Sequence, residues 1–196
     1  MGRFAVKTMK QFIFSLSLLM AVCFNAQAQH PVKYVEEMKK YVPRDIQPLQ
    51  IEMYYDYEEA LAAAKAQKKP LMVYFTGVTC INCRKMEKLV WIQPGVTSRM
   101  KNDFVVAALY ADATYIPLPS GQQYYSKVIN RKVENFAHKM WVLQDSVFHS
   151  NSQPTYYFVD GTGALIVPEP AQYDPDPVAF ATLLDKVKDL YNKEHR

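Results

Sequence analysis

Two cysteines three positions apart, Cys80 and Cys83, enclose Ile81 and Asn82 between an apolar run over residues 71–75 and a basic, helix-compatible stretch over residues 84–91. Thiols at this spacing can trade electrons as a dithiol and a disulfide. The apolar run delivers the chain to a short loop, residues 76–79, and the first cysteine then opens a helix. Its sulfur therefore sits among free amide N–H groups at the positive end of the helix dipole, which favours thiolate over thiol. One turn further on, the second sulfur can attack a mixed disulfide formed on the first. The spacing assigns attack to Cys80 and resolution to Cys83, with the redox-active pair itself in place of any metal or organic cofactor.

The same spacing serves other chemistry. A structural zinc site needs four ligands, and beyond the pair only His30, His138, His149 and His195 remain, with no second pair at close ligand spacing. Attachment of a c-type haem needs a histidine straight after the second cysteine, where this chain has Arg84. A purely structural disulfide is the stronger rival. The loop it closes is so short that it restricts the unfolded chain very little.

Residues 1–28 read as a secretory signal: Arg3, Lys7 and Lys10 form a positive start, residues 12–24 are apolar but short for a membrane span, and Ala26, Gln27 and Ala28 supply a cleavage site. Acylation at Cys23 is the alternative, but Met20, Ala21 and Val22 match poorly the small residues expected there. Cleavage would leave Cys80 and Cys83 as the only cysteines, in an exported protein where disulfides persist. No second long apolar segment follows, so no transmembrane segment is expected after cleavage.

The whole chain of 196 residues carries 23 basic and 19 acidic side chains. The signal takes three of the bases and none of the acids, so the remainder is close to neutral. No basic stripe interleaved with aromatics tracks a phosphate backbone, which argues against nucleic acid as a partner. What remains suits one domain with a full core.

Around the cysteines the pattern is that of a mixed sheet. Residues 29–48, with Pro31, Pro43 and Pro48 around a helix-compatible piece, form a leader ahead of the domain at 49–196. Residues 49–54 alternate like an edge strand. Asp56 caps a helix carrying Ala60, Leu61 and Ala64, which Lys68, Lys69 and Pro70 end. Residues 71–75 lack polar alternation and read as a central strand buried on both faces. After the cysteine helix, Gln93, Pro94 and Gly95 break the pattern, a short helical piece carries Val96 and Met100, and residues 104–110 form another buried strand ending at Asp112. Residues 113–135 resist assignment and open an insert at about 113–150, whose second part, residues 138–148, is amphipathic and helical. Residues 155–160 and 164–167 read as a hairpin about Gly161, Thr162 and Gly163. Asp176 and Pro177 start a final helix. His138 and His149 lack partner spacing and read as surface residues.

With the Cys80 to Cys83 motif after a strand and Gln153, Pro154 and Thr155 at the head of the hairpin, the chain resembles the thioredoxin-like family. It is most similar to the C-terminal domain of DsbD-type thiol:disulfide interchange proteins and their free-standing bacterial relatives, through Cys80, Cys83, Arg84, Lys85, Met86, Glu87, Val90, Trp91, Gln153 and Pro154. The likeness covers about residues 57–191. It implies an α/β fold with a central mixed β-sheet and helices on both faces, and a thiol:disulfide oxidoreductase that reduces envelope proteins in the periplasm.

The resemblance also implies roles. Pro154 would be cis and face the cysteines, so that Gln153 docks a substrate backbone as a short strand; a trans proline opening an edge strand is what sequence alone favours. Tyr74 replaces the buried aspartate that thioredoxins carry six residues before the first cysteine. Glu87, one turn after Cys83, is then the candidate proton carrier for resolution, the alternative being an exposed carboxylate paired with a lysine. Thr79 stands where thioredoxins usually have tryptophan and should contact substrate across a lower lip. Arg84, Lys85 and Lys88 read mainly as the helix's wet face. Protein disulfides would be the substrates and a DsbD-type membrane carrier the electron donor. The competing reading is a non-catalytic thioredoxin-like binding module that displays the insert and keeps its disulfide locked.

Overall fold

The computed structural model of the chain describes residue 40 and residues 46–195. The expected signal sequence and nearly all of the leader, including its helix-compatible piece, lie outside the described residues. Ile46 is buried and packs into the core, so the domain's packing reaches back at least that far into the leader.

Four strands form the main sheet, in the order β1 (Met53–Tyr54), β3 (Val105–Tyr110), β2 (Leu71–Thr76) and β6 (Thr155–Val159). Both β1 and β2 run parallel to β3, and β6 runs antiparallel to β2. All residues of β2, β3 and β6 are buried, as expected of apolar runs without polar alternation. The edge strand is shorter than the alternating pattern of residues 49–54 suggests. Pro48 instead opens a 3₁₀ turn at Gln47–Leu49, and Gln50 closes it in the left-handed region at φ 53°, so extended pairing begins only at Met53.

Helix α1 (Tyr57–Gln67) starts where Asp56 accepts hydrogen bonds from the amides of Glu58 and Glu59, and it ends at Lys68 in the left-handed region. Helix α2 (Ile81–Lys85) carries the cysteine motif and runs on as one π-helical stretch, Met86–Trp91. Pro94 does more than break the pattern: it occupies the first turn of α3 (Pro94–Asp103), where its missing N–H costs nothing. The final helix, α5 (Pro177–Glu194), is capped by Asp176 as the sequence suggests.

The segment that resisted assignment folds as a small antiparallel hairpin, β4 (Tyr124–Ser126) and β5 (Arg131–Val133), ahead of α4 (Phe136–Phe148). Asn135 caps α4 by accepting from the His138 amide. His138 is not a surface residue: it is buried, with Nδ1 3.0 Å from the Lys132 carbonyl oxygen and its ring against Trp141. Capping α4 draws His138 under the hairpin, whereas His149 is exposed at the helix's C-terminal end.

The expected hairpin after β6 is only partly formed. Residues beyond the turn touch β6 at isolated points, through the Asp160 amide to Ala164, the Ile166 amide to Phe158, and a reciprocal pair between Tyr156 and Ala171. Pro168 and Pro170 lack the N–H groups that a continuous ladder needs.

The sheet separates two helical layers. Tyr74 and Tyr156 pack on the face that carries Trp91 and Phe180, while Phe75 and Tyr157 point to the other face, against Phe148. The cysteine helix, α3 and α5 share the first layer, and Arg99 in α3 grips Asp185 in α5 through two hydrogen bonds of 2.7 and 2.8 Å. Helices α1 and α4 cover the second.

Candidate active site around Cys80 and Cys83

Because β2 and β3 are parallel, their C-terminal ends leave the sheet on one side, and the antiparallel β6 begins there. Three segments therefore converge at one edge: the loop after Thr76, the corner after Tyr110, and the turn before Thr155. The register pairs Thr155 with Phe75, which sets Pro154 level with Thr76. The peptide bond between Gln153 and Pro154 is cis.

Cys80 and Cys83 are joined as a disulfide with their Cα atoms 5.2 Å apart. Cys80 is the N-cap of α2, and its sulfur lies 3.2 Å from the Cys83 amide nitrogen, which donates to it. The helix start thus directs a free N–H at this sulfur, as the spacing suggests. Cys80 is half-buried and Cys83 fully buried, so a partner approaching the pair meets Cys80 first.

The loop before Cys80 is held by a residue that the sequence reading left without a role. Asp112, two positions after β3, accepts hydrogen bonds from the Val78 amide at 2.7 Å, the Thr79 amide at 2.8 Å and the Thr79 hydroxyl at 2.9 Å. Thr79 is exposed, and its hydroxyl is turned to this carboxylate. Gly77 allows the approach: a Cβ there would lie 2.9 Å from Asp112 Oδ2 and 3.2 Å from Cys80 Cβ. The parallel pairing of two buried strands is the signal that would have found Asp112, since it places the residue after one strand beside the loop after the other.

Behind Cys83 lies a buried polar cluster. Glu87 is 1 % exposed. Its Oε1 accepts from Arg84 Nη2 at 2.7 Å and from the Tyr74 hydroxyl at 3.2 Å, and that hydroxyl also lies 3.4 Å from the Cys83 carbonyl oxygen. Arg84 donates as well to Thr76 Oγ1 at 3.1 Å. Arg84 is therefore part of the interior of the site and not simply its wet face. Glu87 Oε2 and Arg84 Nε are buried without a hydrogen-bond partner among the described residues. Burial pushes the Glu87 carboxyl up to about 7, against the lowering influence of Arg84, the Tyr74 hydroxyl and Lys88. Burial likewise holds Tyr74 and Tyr156 well above the ordinary phenol range, so both stay neutral.

The structure thus gathers Thr79, Cys80, Cys83 and Glu87 on one helix and its preceding loop, and brings Gln153 and Pro154 to the same sheet edge. Gln153 is half-buried and Pro154 buried. Neither the N–H nor the C=O of Gln153 has a hydrogen-bond partner among the described residues. Among those residues, no cluster of histidine, cysteine or acidic side chains is arranged to hold a metal, and no helix is long and apolar enough to cross a membrane.

Several solved structures are similar to this chain. One described as DsbH oxidoreductase shares 18 % identity, covering 71 % of this chain and 86 % of its own, with a TM-score of 0.50. A thioredoxin from Thermus thermophilus shares 26 % identity over 70 % of this chain and 88 % of its own, with a TM-score of 0.49. A disulphide isomerase from Xylella fastidiosa Temecula1 shares 16 % identity over 74 % of this chain and 99 % of its own, with a TM-score of 0.39. No curated protein gives a significant match. Residues 52–161, more than half of the chain, match the family model described as thioredoxin-like, and with the mixed sheet and the cysteine pair at its edge, the chain belongs to the thioredoxin-like family.

Proposed function

We propose that the chain is an exported thiol:disulfide oxidoreductase that reduces disulfides in envelope proteins. The observation that carries this reading is the asymmetry of the pair: a half-buried Cys80 at a helix start, and a fully buried Cys83 linked through the Tyr74 hydroxyl to the buried Glu87 carboxyl. Family membership supports it.

In the reduced protein the Cys80 thiolate attacks a substrate disulfide. A bond forms between Cys80 Sγ and one substrate sulfur, and the other substrate sulfur leaves as a thiolate. Cys83 then gives its proton to Glu87 and attacks Cys80 Sγ, which releases the second substrate thiolate and closes the Cys80 to Cys83 disulfide. Two electrons have passed to the substrate, whose sulfurs end as thiols. A dithiol on a DsbD-type membrane carrier returns the pair to its reduced form by the same exchange. Gln153 presents its free N–H and C=O to the substrate backbone, with Pro154 behind it and Thr79 on the opposite lip.

A Cys83→Ala variant tests this directly, because it leaves Cys80 to form mixed disulfides that nothing resolves. Protein adducts through Cys80, recovered from envelope extracts and released by reductant, are expected. A pair that resists mild reductant, and a variant that traps nothing, would leave the chain as a display scaffold for its insert. Equilibration with glutathione tests direction: a reductase lies below about −200 mV, whereas a value near −120 mV marks an oxidant. Export predicts that the mature protein begins at Gln29, which N-terminal sequencing of envelope material reads.

A further inference from the structure

Beside Gln153 the insert builds a cleft of about 370 Å³ between the tip of its hairpin and one side of α4. Val128 and Ile129 of the hairpin tip, Trp141 and Asp145 of α4, and Asn151 and Gln153 of the turn before β6 line it. Two features tie the cleft to the sheet edge where the cysteines lie. Gln153 belongs to both, and Trp141 Nε1 donates to the Ala111 carbonyl oxygen at 2.7 Å, one residue before the Asp112 that holds Thr79.

The chemistry of the walls restricts what fits. Val128 is exposed although apolar, and the Trp141 indole is fixed in place by its hydrogen bond and by the His138 ring. These surfaces gain by covering an apolar side chain. Among the described residues Asp145 is the only charged group in the lining; it is exposed and has no ion partner. The Arg131 guanidinium lies 5.7 Å from the centre of the Trp141 ring and is not part of the lining. A cation entering the cleft meets an unpaired carboxylate, while an acidic group would be repelled by it.

We infer that the cleft is a specificity subsite for the substrate polypeptide, taking an apolar residue followed by a basic one in the segment next to the substrate's cysteine. This rests on the oxidoreductase reading above. Backbone docking at Gln153 is indifferent to sequence; the insert adds selection by side chain, which favours Leu-Lys over Leu-Glu or Gly-Ser at that place.

The test uses the reduced full-length mature protein and three synthetic peptides, each with one cysteine held as a mixed disulfide with thionitrobenzoate and followed by Leu-Lys, Leu-Glu or Gly-Ser. Release of the yellow thiolate gives a second-order rate constant for each peptide. Wild type is expected to favour Leu-Lys about tenfold over the other two. In Asp145→Lys the ratio of Leu-Lys to Leu-Glu should invert; because both rates come from one protein, partial loss of activity cancels. Val128→Ser, which removes apolar surface without adding charge, should bring the Leu-Lys rate down towards that of Gly-Ser. Equal rates for all three peptides in wild type, a preference for Leu-Glu, or an unchanged ratio in Asp145→Lys would overturn the subsite while leaving the redox reading intact. Failure of wild type to release thionitrobenzoate from any peptide, or from the free symmetric disulfide reagent, would instead remove the redox reading, and the subsite with it.

Discussion

Arg84 and Glu87 form an ion pair of 2.7 Å across one turn of the cysteine helix, and the two side chains differ in exposure, 20 % for the arginine and 2 % for the glutamate. The positive member reaches water and the negative one does not. Coulomb attraction therefore only partly offsets the desolvation of the carboxylate, which is why the Glu87 carboxyl still lies near 7.

Stability should record that shift. A carboxyl raised from 4.5 in the unfolded chain to about 7 in the fold holds its proton more tightly when folded. Its contribution to stability is complete below pH 4.5 and is lost as the pH rises through 7, a change of about 3 kcal/mol at 1.36 kcal/mol per unit. Urea titrations between pH 4.5 and 8 should show wild type losing about that much relative to Glu87→Gln. Parallel profiles would place Glu87 in an environment no different from water.

Arg84→Met removes the opposing charge and leaves the desolvation, so the Glu87 titration should move up by about one unit. The variant should be near wild type in stability at pH 5 and about 1 kcal/mol weaker at pH 8, where the carboxyl is largely ionised in wild type and about half ionised in the variant. Tyr74→Phe, which withdraws one hydrogen bond from the same carboxylate, should shift the titration in the same direction by less. Carbon-13 NMR of labelled glutamate follows both.

Gly77 and Asp112 should be coupled. A Cβ at residue 77 would press on a carboxylate that three hydrogen bonds hold still, so Gly77→Ala is expected to cost about 1–3 kcal/mol. In an Asp112→Ala background the obstructing oxygen is gone and the same change should cost clearly less. A double-mutant cycle giving a coupling energy below about 0.5 kcal/mol would show that the loop accommodates the methyl group some other way.

The two sulfurs should differ in reactivity once reduced. Cys80 is partly accessible at a helix start, and Cys83 is 0 % exposed. At neutral pH, iodoacetamide should label Cys80 at least about 100 times faster than Cys83, as read by mass spectrometry of the digested protein. Equal labelling would mean that the pocket around Cys83 opens on reduction.

Local patterns carried much of the fold into the sequence. Uninterrupted apolar runs marked β2 and β3, Asp56 and Asp176 marked helix starts, and the cysteine spacing marked the site. Features that depend on contacts between distant segments were not legible in this way. Asp112 lies 33 residues from Thr79 along the chain, and only the pairing of β2 with β3 brings it to the loop. His138 has the composition of a surface residue until β5 places the Lys132 carbonyl over it. The hairpin β4 to β5 is short and exposes Tyr124 and Tyr125, so it has no alternation to read. Glu87 was ambiguous between a buried acid and a solvated one, because a helical face does not reveal whether its neighbour is water or Tyr74.

The antiparallel register of β2 and β6 gives the molecule two distinct ends. Val159 is paired with Leu71, so the turn containing the exposed Thr162 leaves the sheet at the opposite end from Thr76 and the cysteines. Six residues of strand separate these ends by roughly 20 Å. A tether fixed through residue 162, to a bead or a gold electrode, would hold the protein with its sulfurs turned outward, so that current drawn from the immobilised layer would report thiol exchange without interference from the attachment.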